Sequence, residues 1–380
     1  MIFFNKSEEG FTHKINQLKN IPFCEKQIFF YAENKSSINH LSQLIEKLTL
    51  NGIPIVYATS VKNPPLIFKD NPLIKTVFIG SGLSRINFFL TLETKILITD
   101  MPDLEKFHVK RSKKYNIHYI YVFHSIFSIH SYLRKGALDN YDTIFCVGSH
   151  HIREILETEK IYNLKPKNLI QYGFPRLFDL KKNVVLDRKS KNLIIICPSY
   201  GKNNLLIKHG KNLINILLQN NYQVILRPHY RIFDENKDVL NDIKKTFSSN
   251  KNFCIEHGIL SHQILNDSFC MISDWSGISF EYAFAYFKPV IFINVPMKNM
   301  NDEYDKISTP PIEINMREKI GYILEPENLD NILDLLSITE KNLVPKKKDI
   351  ENCLDDSIFN LNCASQVGFE YIHNLLLTKE

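Results

Sequence analysis

The sequence predicts a doubly wound α/β protein built from two Rossmann-like halves. Three observations carry this expectation. Short β-branched and aromatic runs alternate with helical patterns along most of the chain. At 380 residues and 44% hydrophobic content, the chain favours two cores over one. A charged stretch, "KKNVVLDRKSKN" at 181–192, interrupts the alternation with little to bury and marks the expected boundary. The expected division is an N-terminal half over 1–182, a C-terminal half over 190–345 and a helical tail over 346–380.

In the first half the strands are read at "QIFFYA", "IPIVYAT", "TVFIG", "KILIT", "HYIYVF", "TIFCVG" and "LIQYG". Each is a short apolar run of strand length, bounded by turn residues. Helices fall between several of them, notably over 38–50 and 150–159. The second half restarts with "NLIIICPS", then "YQVILRP", "NFCIE", "FCMIS", "PVIFIN" and "GYIL". Between the last but two and last but one of these lies "SGISFEYAFAYFKP", a helix over 278–287 with almost no hydrophilic face, stopped by Pro289. Strand, polar turn, buried helix and strand make a βαβ unit, whose crossover opens the first turn at the carboxyl edge of the sheet. The tail over 350–377 has helical spacing at Phe359, Ala364, Val367, Tyr371 and Leu375, which predicts that it packs back on the body.

The net charge of +6 is too mild to argue for nucleic acid and suits an anionic ligand. Seven cysteines are scattered without C-x-x-C spacing, several inside strand-like runs, as expected of reduced, buried thiols in a cytoplasmic protein. The N-terminal "MIFFNKSEEGF" is too short in its apolar part for a signal peptide, and "YIYVFHSIFSI" falls short of a membrane span. Membrane contact is therefore expected to be peripheral at most, on the inner face. The "KKK" run at 346–348 reads as a solvated surface, with a lipid-facing role as the alternative.

Three polar turns should meet at the carboxyl edge of the second sheet, where open α/β folds bind ligands. The turn "SDWSGIS" holds Asp274, Ser276, Gly277 and Ser279 at a helix start, where backbone N–H groups suit a phosphate. An ordinary N-cap cluster would have the same composition. "LRPHYR" adds Arg227, a fork of donors for phosphate oxygens, and His229, a partner in that load or a proton donor to a leaving phosphate. "CPSYGKNN" brings Ser199 and Gly201, without G-x-G-x-x-G or G-K-[ST] spacing, so neither a dinucleotide site nor a P-loop is supported. In the first half, His124 ends a strongly apolar strand, where a neutral imidazole would take a proton from an attacking hydroxyl. Position alone separates His124 and His229 from the rest of the 13 histidines. No D-x-D, H-E-x-x-H, cysteine-histidine zinc spacing or G-x-S-x-G elbow occurs, and the sequence demands no metal or cofactor.

With these residues located, the sequence resembles the CDP-glycerol glycerophosphotransferase family of teichoic-acid and related surface-polymer synthesis. The matching pieces are "FHS" at 123–125, "CVGSHHIREI" at 146–155, "YGFPRLFDL" at 172–180, "LRPHYR" at 226–231 and "ISDWSGISFEYAFAYFKPVIFI" at 272–293. The resemblance implies two Rossmann-like domains facing across a cleft, as in GT-B glycosyltransferases, with a CDP-alcohol held mainly by the C-terminal one. It implies His124 as base, His229 and Arg227 on the donor phosphates, Ser276, Gly277 and Ser279 at the pyrophosphate, and Glu281 at the nucleotide's sugar. The implied partners are CDP-glycerol or a similar CDP-alcohol and a glycan or polyprenyl-linked acceptor. The chain departs from the family at three places. It has Ser125 after His124 where the family has Gly, Gly277 after Ser276 where the family has Ser, and Pro198-Ser199 where the family has Pro-Thr. Alternatives are a CDP-ribitol phosphotransferase, a GT-B glycosyltransferase using a nucleotide sugar, and a catalytically silent scaffold.

Overall fold

The computed structural model describes residues 20–62, 68, 70–182, 184–185, 192–258 and 260–378. Much of the charged stretch at 181–192 thus lies outside the described residues. The chain forms two parallel-sheet α/β units, and every strand-like run quoted above is a strand. Of the described residues, unit 1 comprises those up to 124, 133–176 and 358–378, and unit 2 those within 125–132 and 177–357.

Unit 1 is built on seven parallel strands: β1 (Ile28–Ala32), β2 (Ile55–Thr59), β3 (Ile74–Phe78), β4 (Ile96–Thr99), β5 (His118–Val122), β6 (Thr143–Cys146) and β7 (Asn168–Gln171). Their order is β3-β2-β1-β4-β5-β6-β7. Strands β1, β2, β4 and β6 are buried at every position, which is why they read as unbroken apolar runs and not as alternation. Helix α1 (Ile38–Leu50) turns Leu41, Leu44, Ile45 and Leu48 into the core at helical spacing, against Ile28, Phe30 and Ile98. Helix α2 (Ser149–Tyr162) follows β6 and ends at Asn163 in the left-handed region.

Unit 2 has six parallel strands, β8 (Leu193–Cys197), β9 (Gln223–Leu226), β10 (Phe253–Ile255), β11 (Cys270–Ser273), β12 (Val290–Ile293) and β13 (Gly321–Leu324), in the order β10-β9-β8-β11-β12-β13. A π-helical turn at Leu206–Gly210 leads into α3 (Lys211–Gln219). Helix α4 (Ile278–Tyr286) is buried from Ser279 to Tyr286, which accounts for its lack of a polar face. Each large apolar side chain so buried contributes about 1.5–3 kcal/mol. After it, the Lys288 ammonium donates to the carbonyls of Leu265 and Ser268 at 3.3 and 2.7 Å, so the lysine of the Lys-Pro pair ties down the end of the short helix His262–Asp267 that precedes β11.

The segment 125–132 leaves β5 and packs in unit 2. Helix α5 (Ile312–Ile320) holds it: the buried Glu313 carboxylate accepts the Ser128 N–H at 3.0 Å and the Ser131 hydroxyl, and Ser128 Oγ accepts the Ile312 N–H at 2.7 Å. Ser131 O accepts the Met300 N–H at 2.9 Å, and Phe127 meets Phe280 edge-on with centroids 4.9 Å apart.

The tail is two helices, α6 (Leu343–Ser357) in unit 2 and α7 (Ala364–Leu377) in unit 1. The continuous spacing read across 350–377 hides the break at 358–363, where Asn360 has φ 46°. Helix α7 packs back on the first core, as expected, with Ile372 fully buried. Gly173, at φ 100°, is required where this crossing is tightest: a Cβ there would lie 2.2 Å from the Phe359 carbonyl oxygen.

Candidate functional site

In unit 2 the strand order reverses between β8 and β11, so the loops that follow these two strands flank the crevice where such sheets take ligands. Asp274, directly after β11, joins the two loops. Its fully buried carboxylate accepts the Ser199 N–H at 2.6 Å and the Leu205 N–H at 2.9 Å. Burial pushes its pKa up, and the N–H donors pull against that rise. Both oxygens are thus engaged by protein amides. Ser199 has its amide committed to Asp274, and Ser279 donates its buried hydroxyl to the Ser276 carbonyl at 2.6 Å. Asp274, Ser199 and Ser279 therefore brace the turn that the sequence marked as a ligand contact.

Within the braced turn, neither the Ser276 nor the Gly277 N–H donates to a protein acceptor among the described residues. A Cβ at Gly277 would meet Ser125 Oγ at 3.1 Å. Two of the three departures from the resembled pattern, Ser125 and Gly277, are thus neighbours within unit 2. Trp275 is fixed by its indole N–H on the Val295 carbonyl at 2.7 Å, and the Arg317 guanidinium stacks on its ring at 3.7 Å. Arg317 is buried, donates from Nη2 to Asn294 Oδ1 at 2.9 Å, and keeps Nε and Nη1 without partners among the described residues. Burial lowers its pKa to about 10, so it remains charged at neutral pH. Glu281 lies in the first turn of α4 and is 9% exposed.

The loop after β9 supplies the cations. Arg227 donates from Nε to the Gly258 carbonyl at 2.9 Å, which orients the fork. The His229 ring lies against Tyr200 and Tyr230, with centroids 4.5 and 4.4 Å away. Its Nδ1 accepts the Arg231 N–H at 3.3 Å, which assigns the proton of the neutral ring to Nε2. The sequence reading missed Tyr200, Arg231 and Lys298. Arg231 sits 4.3 Å and Lys298 3.0 Å from the Tyr200 ring centroid. Burial pushes the Tyr200 phenol up, but Lys298 and Arg231 outweigh it and hold the pKa below its ordinary value. Burial likewise lowers Lys298. A usable signal existed, because Tyr200, Arg231 and Lys298 all follow closely on strands of this sheet, β8, β9 and β12.

His124, in unit 1, lies two residues past β5. Its Nδ1 is 3.1 Å from the Asp100 carbonyl oxygen, with the Tyr121 hydroxyl at 3.4 Å. A carbonyl only accepts, so Nδ1 carries the proton and Nε2 is the basic nitrogen. The two histidines thus hold opposite tautomers. Among the described residues, no cluster of three or more His, Cys, Asp or Glu side chains is placed to hold a metal ion, and no helix is long and apolar enough to cross a membrane.

Similarity to known proteins follows the same lines. A putative UDP-N-acetylglucosamine 2-epimerase from Listeria monocytogenes superposes with a TM-score of 0.59 at 12% identity, covering 93% of this chain and 98% of that one. The S. aureus MnaA structure with UDP gives 0.59 at 14%, covering 93% and 99%. The wall teichoic acid polymerase TagF, as its H548A variant, gives 0.52 at 16%, covering 98% of each chain. These likenesses show the fold, a pair of parallel-sheet α/β domains of the GT-B kind. No protein of curated function matches the chain. The sequence pattern of CDP-Glycerol:Poly(glycerophosphate) glycerophosphotransferases matches residues 17–305, well over half of the chain. The braced turn, "LRPHYR" and His124 all fall within that span, and the chain belongs to the CDP-glycerol:poly(glycerophosphate) glycerophosphotransferase family.

Proposed function

We propose that the chain transfers glycerol phosphate from CDP-glycerol to a hydroxyl of a glycan or lipid-linked acceptor in cell-surface polymer synthesis, releasing CMP. Family membership supports the reaction class. The observation that carries the donor side is the convergence on one sheet edge of Arg227, His229, Arg231 and Lys298 with the unoccupied Ser276 and Gly277 amides. Cations and oriented N–H groups at the switch point suit a diphosphate.

In the proposed reaction the acceptor oxygen attacks the phosphorus bonded to glycerol. The bond from that phosphorus to the CMP oxygen breaks, and the acceptor proton passes to His124 Nε2. Charge spreads over the equatorial oxygens as the bonds exchange, so alignment and fixed positive charge lower the barrier. Arg227 and Lys298 bind that charge, and the His229 Nε2 hydrogen is donated to the departing CMP phosphate. Arg317 adds a fixed positive charge behind Trp275. Asp274, Ser199 and Ser279 act by holding the turn, and Glu281 is assigned to the nucleotide's ribose.

The test is turnover with CDP-glycerol, CDP-ribitol and a panel of UDP- and GDP-sugars, following the nucleotide released. CMP from CDP-glycerol is expected. Release of UDP or GDP in its place would make the protein a glycosyltransferase, and binding of no nucleotide in a thermal-shift screen would leave a scaffold.

A further inference from the structure

Unit 1 has its own switch point, between β1 and β4, and the residues there are not used by the donor chemistry above. The loop after β1 carries Ser37 into α1, and Asp100 directly follows β4. His40, three residues beyond Ser37, shares its helix face. Ser37, His40 and Asp100 are 0%, 8% and 5% exposed. Ser37 Oγ, His40 Nδ1 and Asp100 Oδ1 have no hydrogen-bond partner among the described residues. Three buried polar side chains without partners at one sheet edge are costly unless something completes them.

Contacts tie the three to His124. The Asp100 carbonyl fixes the His124 tautomer at 3.1 Å, and the His40 ring lies edge-on to the His124 ring with centroids 6.2 Å apart. The back of His40 rests on Phe174 at 5.7 Å. Ser37 is close enough to Asp100 to hold its carboxyl down somewhat, although the geometry falls short of a hydrogen bond.

The chemistry of the group selects its ligand. Among the described residues no cation pairs with Asp100, and the neighbouring Glu33 is already engaged by Arg85 at 2.7 Å and His108 at 2.6 Å. An anion would be repelled there, whereas hydroxyls can donate to the carboxyl and to an imidazole and accept from Ser37. We propose that Asp100, His40 and Ser37 form a hydroxyl-recognition subsite beside His124 that takes a neutral polyol segment of the acceptor. This deepens the reading of His124 as the base and rests on it. Burial supports the assignment: it pushes the Asp100 carboxyl up to about 7 and keeps His40 neutral.

The test uses the full chain with CDP saturating the nucleotide site and glycerol as the probe, read by saturation-transfer NMR. The wild type is expected to transfer saturation to glycerol. Asp100→Ala and His40→Phe, the latter keeping the aromatic packing, should each weaken glycerol binding about tenfold, the effect of one lost hydrogen-bonded group. Asp100→Asn, which keeps an acceptor oxygen, should retain most of it. CDP affinity should stay within about twofold in all three variants, and with glycerol as acceptor Asp100→Ala should raise KM while largely sparing kcat. No transfer to glycerol in the wild type, or equal transfer in the wild type and both disruptive variants, would overturn the subsite. An equal loss of CDP and glycerol binding would also overturn it, by showing a structural role. If glycerol binds as expected while no CMP is released from CDP-glycerol, the subsite stands and the proposed transfer fails.

Discussion

The two units end their sheets in opposite ways at equivalent places. At the switch point of unit 2 the buried carboxylate of Asp274 has both oxygens filled by backbone N–H groups, and the charged side chains coupled to it, Lys298 and Arg317, are cations. At the switch point of unit 1 the buried carboxyl of Asp100 has an oxygen without a partner among the described residues, and the titratable groups coupled to it are the Tyr57 and Tyr141 phenols and Glu33, a carboxylate already paired. One fold position therefore serves two chemistries. A satisfied acid makes a rigid frame for positive charge, while an unsatisfied acid awaits hydroxyls.

The largest effect should come from the group assigned to the proton. His124→Ala is expected to lower turnover about 10²- to 10⁴-fold while CDP-glycerol affinity stays nearly unchanged, measured by CMP release and calorimetry. Equal loss in both would remove His124 from the role of base.

Asp100 gives the comparison a thermodynamic signature. Its pKa in the folded protein is pushed up to about 7 by burial, against an ordinary value of 3.8. Between those values the folded state holds a proton that the unfolded chain has released, so stability from this group is full at low pH and is lost as pH rises through about 7. Asp100→Asn should therefore gain about 2–4 kcal/mol on the wild type at pH 8 and much less at pH 4.5, measured by denaturant unfolding. A gain independent of pH would show that Asp100 is not held protonated. Asp274→Asn should show no such gain, because it removes an acceptor that two amides use.

Arg227→Gln should weaken donor binding by about 1.5–3 kcal/mol, the range of a hydrogen bond to a charged group. Unchanged affinity would move the phosphates away from β9. The smallest effect concerns Gly277 and Ser125, the two family departures that touch. Gly277→Ser places a Cβ 3.1 Å from Ser125 Oγ and should cost about 1 kcal/mol of stability or donor affinity. Adding Ser125→Gly should recover most of it in a double-mutant cycle. Additive losses would mean that the two positions do not sense each other.

The strands were legible because a parallel sheet buried on both faces imposes unbroken apolar runs such as "LIIIC" and "IFFYA". The braced turn was legible for a similar reason: a helix as apolar as α4 has to start somewhere polar. What escaped was whatever depends on strand order. β1 and β4 are neighbours although separated by β2 and β3 in the chain, so nothing local brings Ser37 to Asp100. Asp274 reads as a ligand contact until its partners in the β8 loop are known. The break in the tail at Asn360 and the packing of 125–132 in unit 2 were likewise decided by tertiary contacts, through Phe359 on Val147 and Glu313 on Ser128.

The account depends most on a diphosphate being held at the edge of unit 2, and titration calorimetry with CDP and CMP measures that directly. The account predicts that the wild type binds CDP at least about tenfold more tightly than CMP, and that Arg227→Gln narrows the gap. Equal affinity of the wild type for CDP and CMP would contradict it.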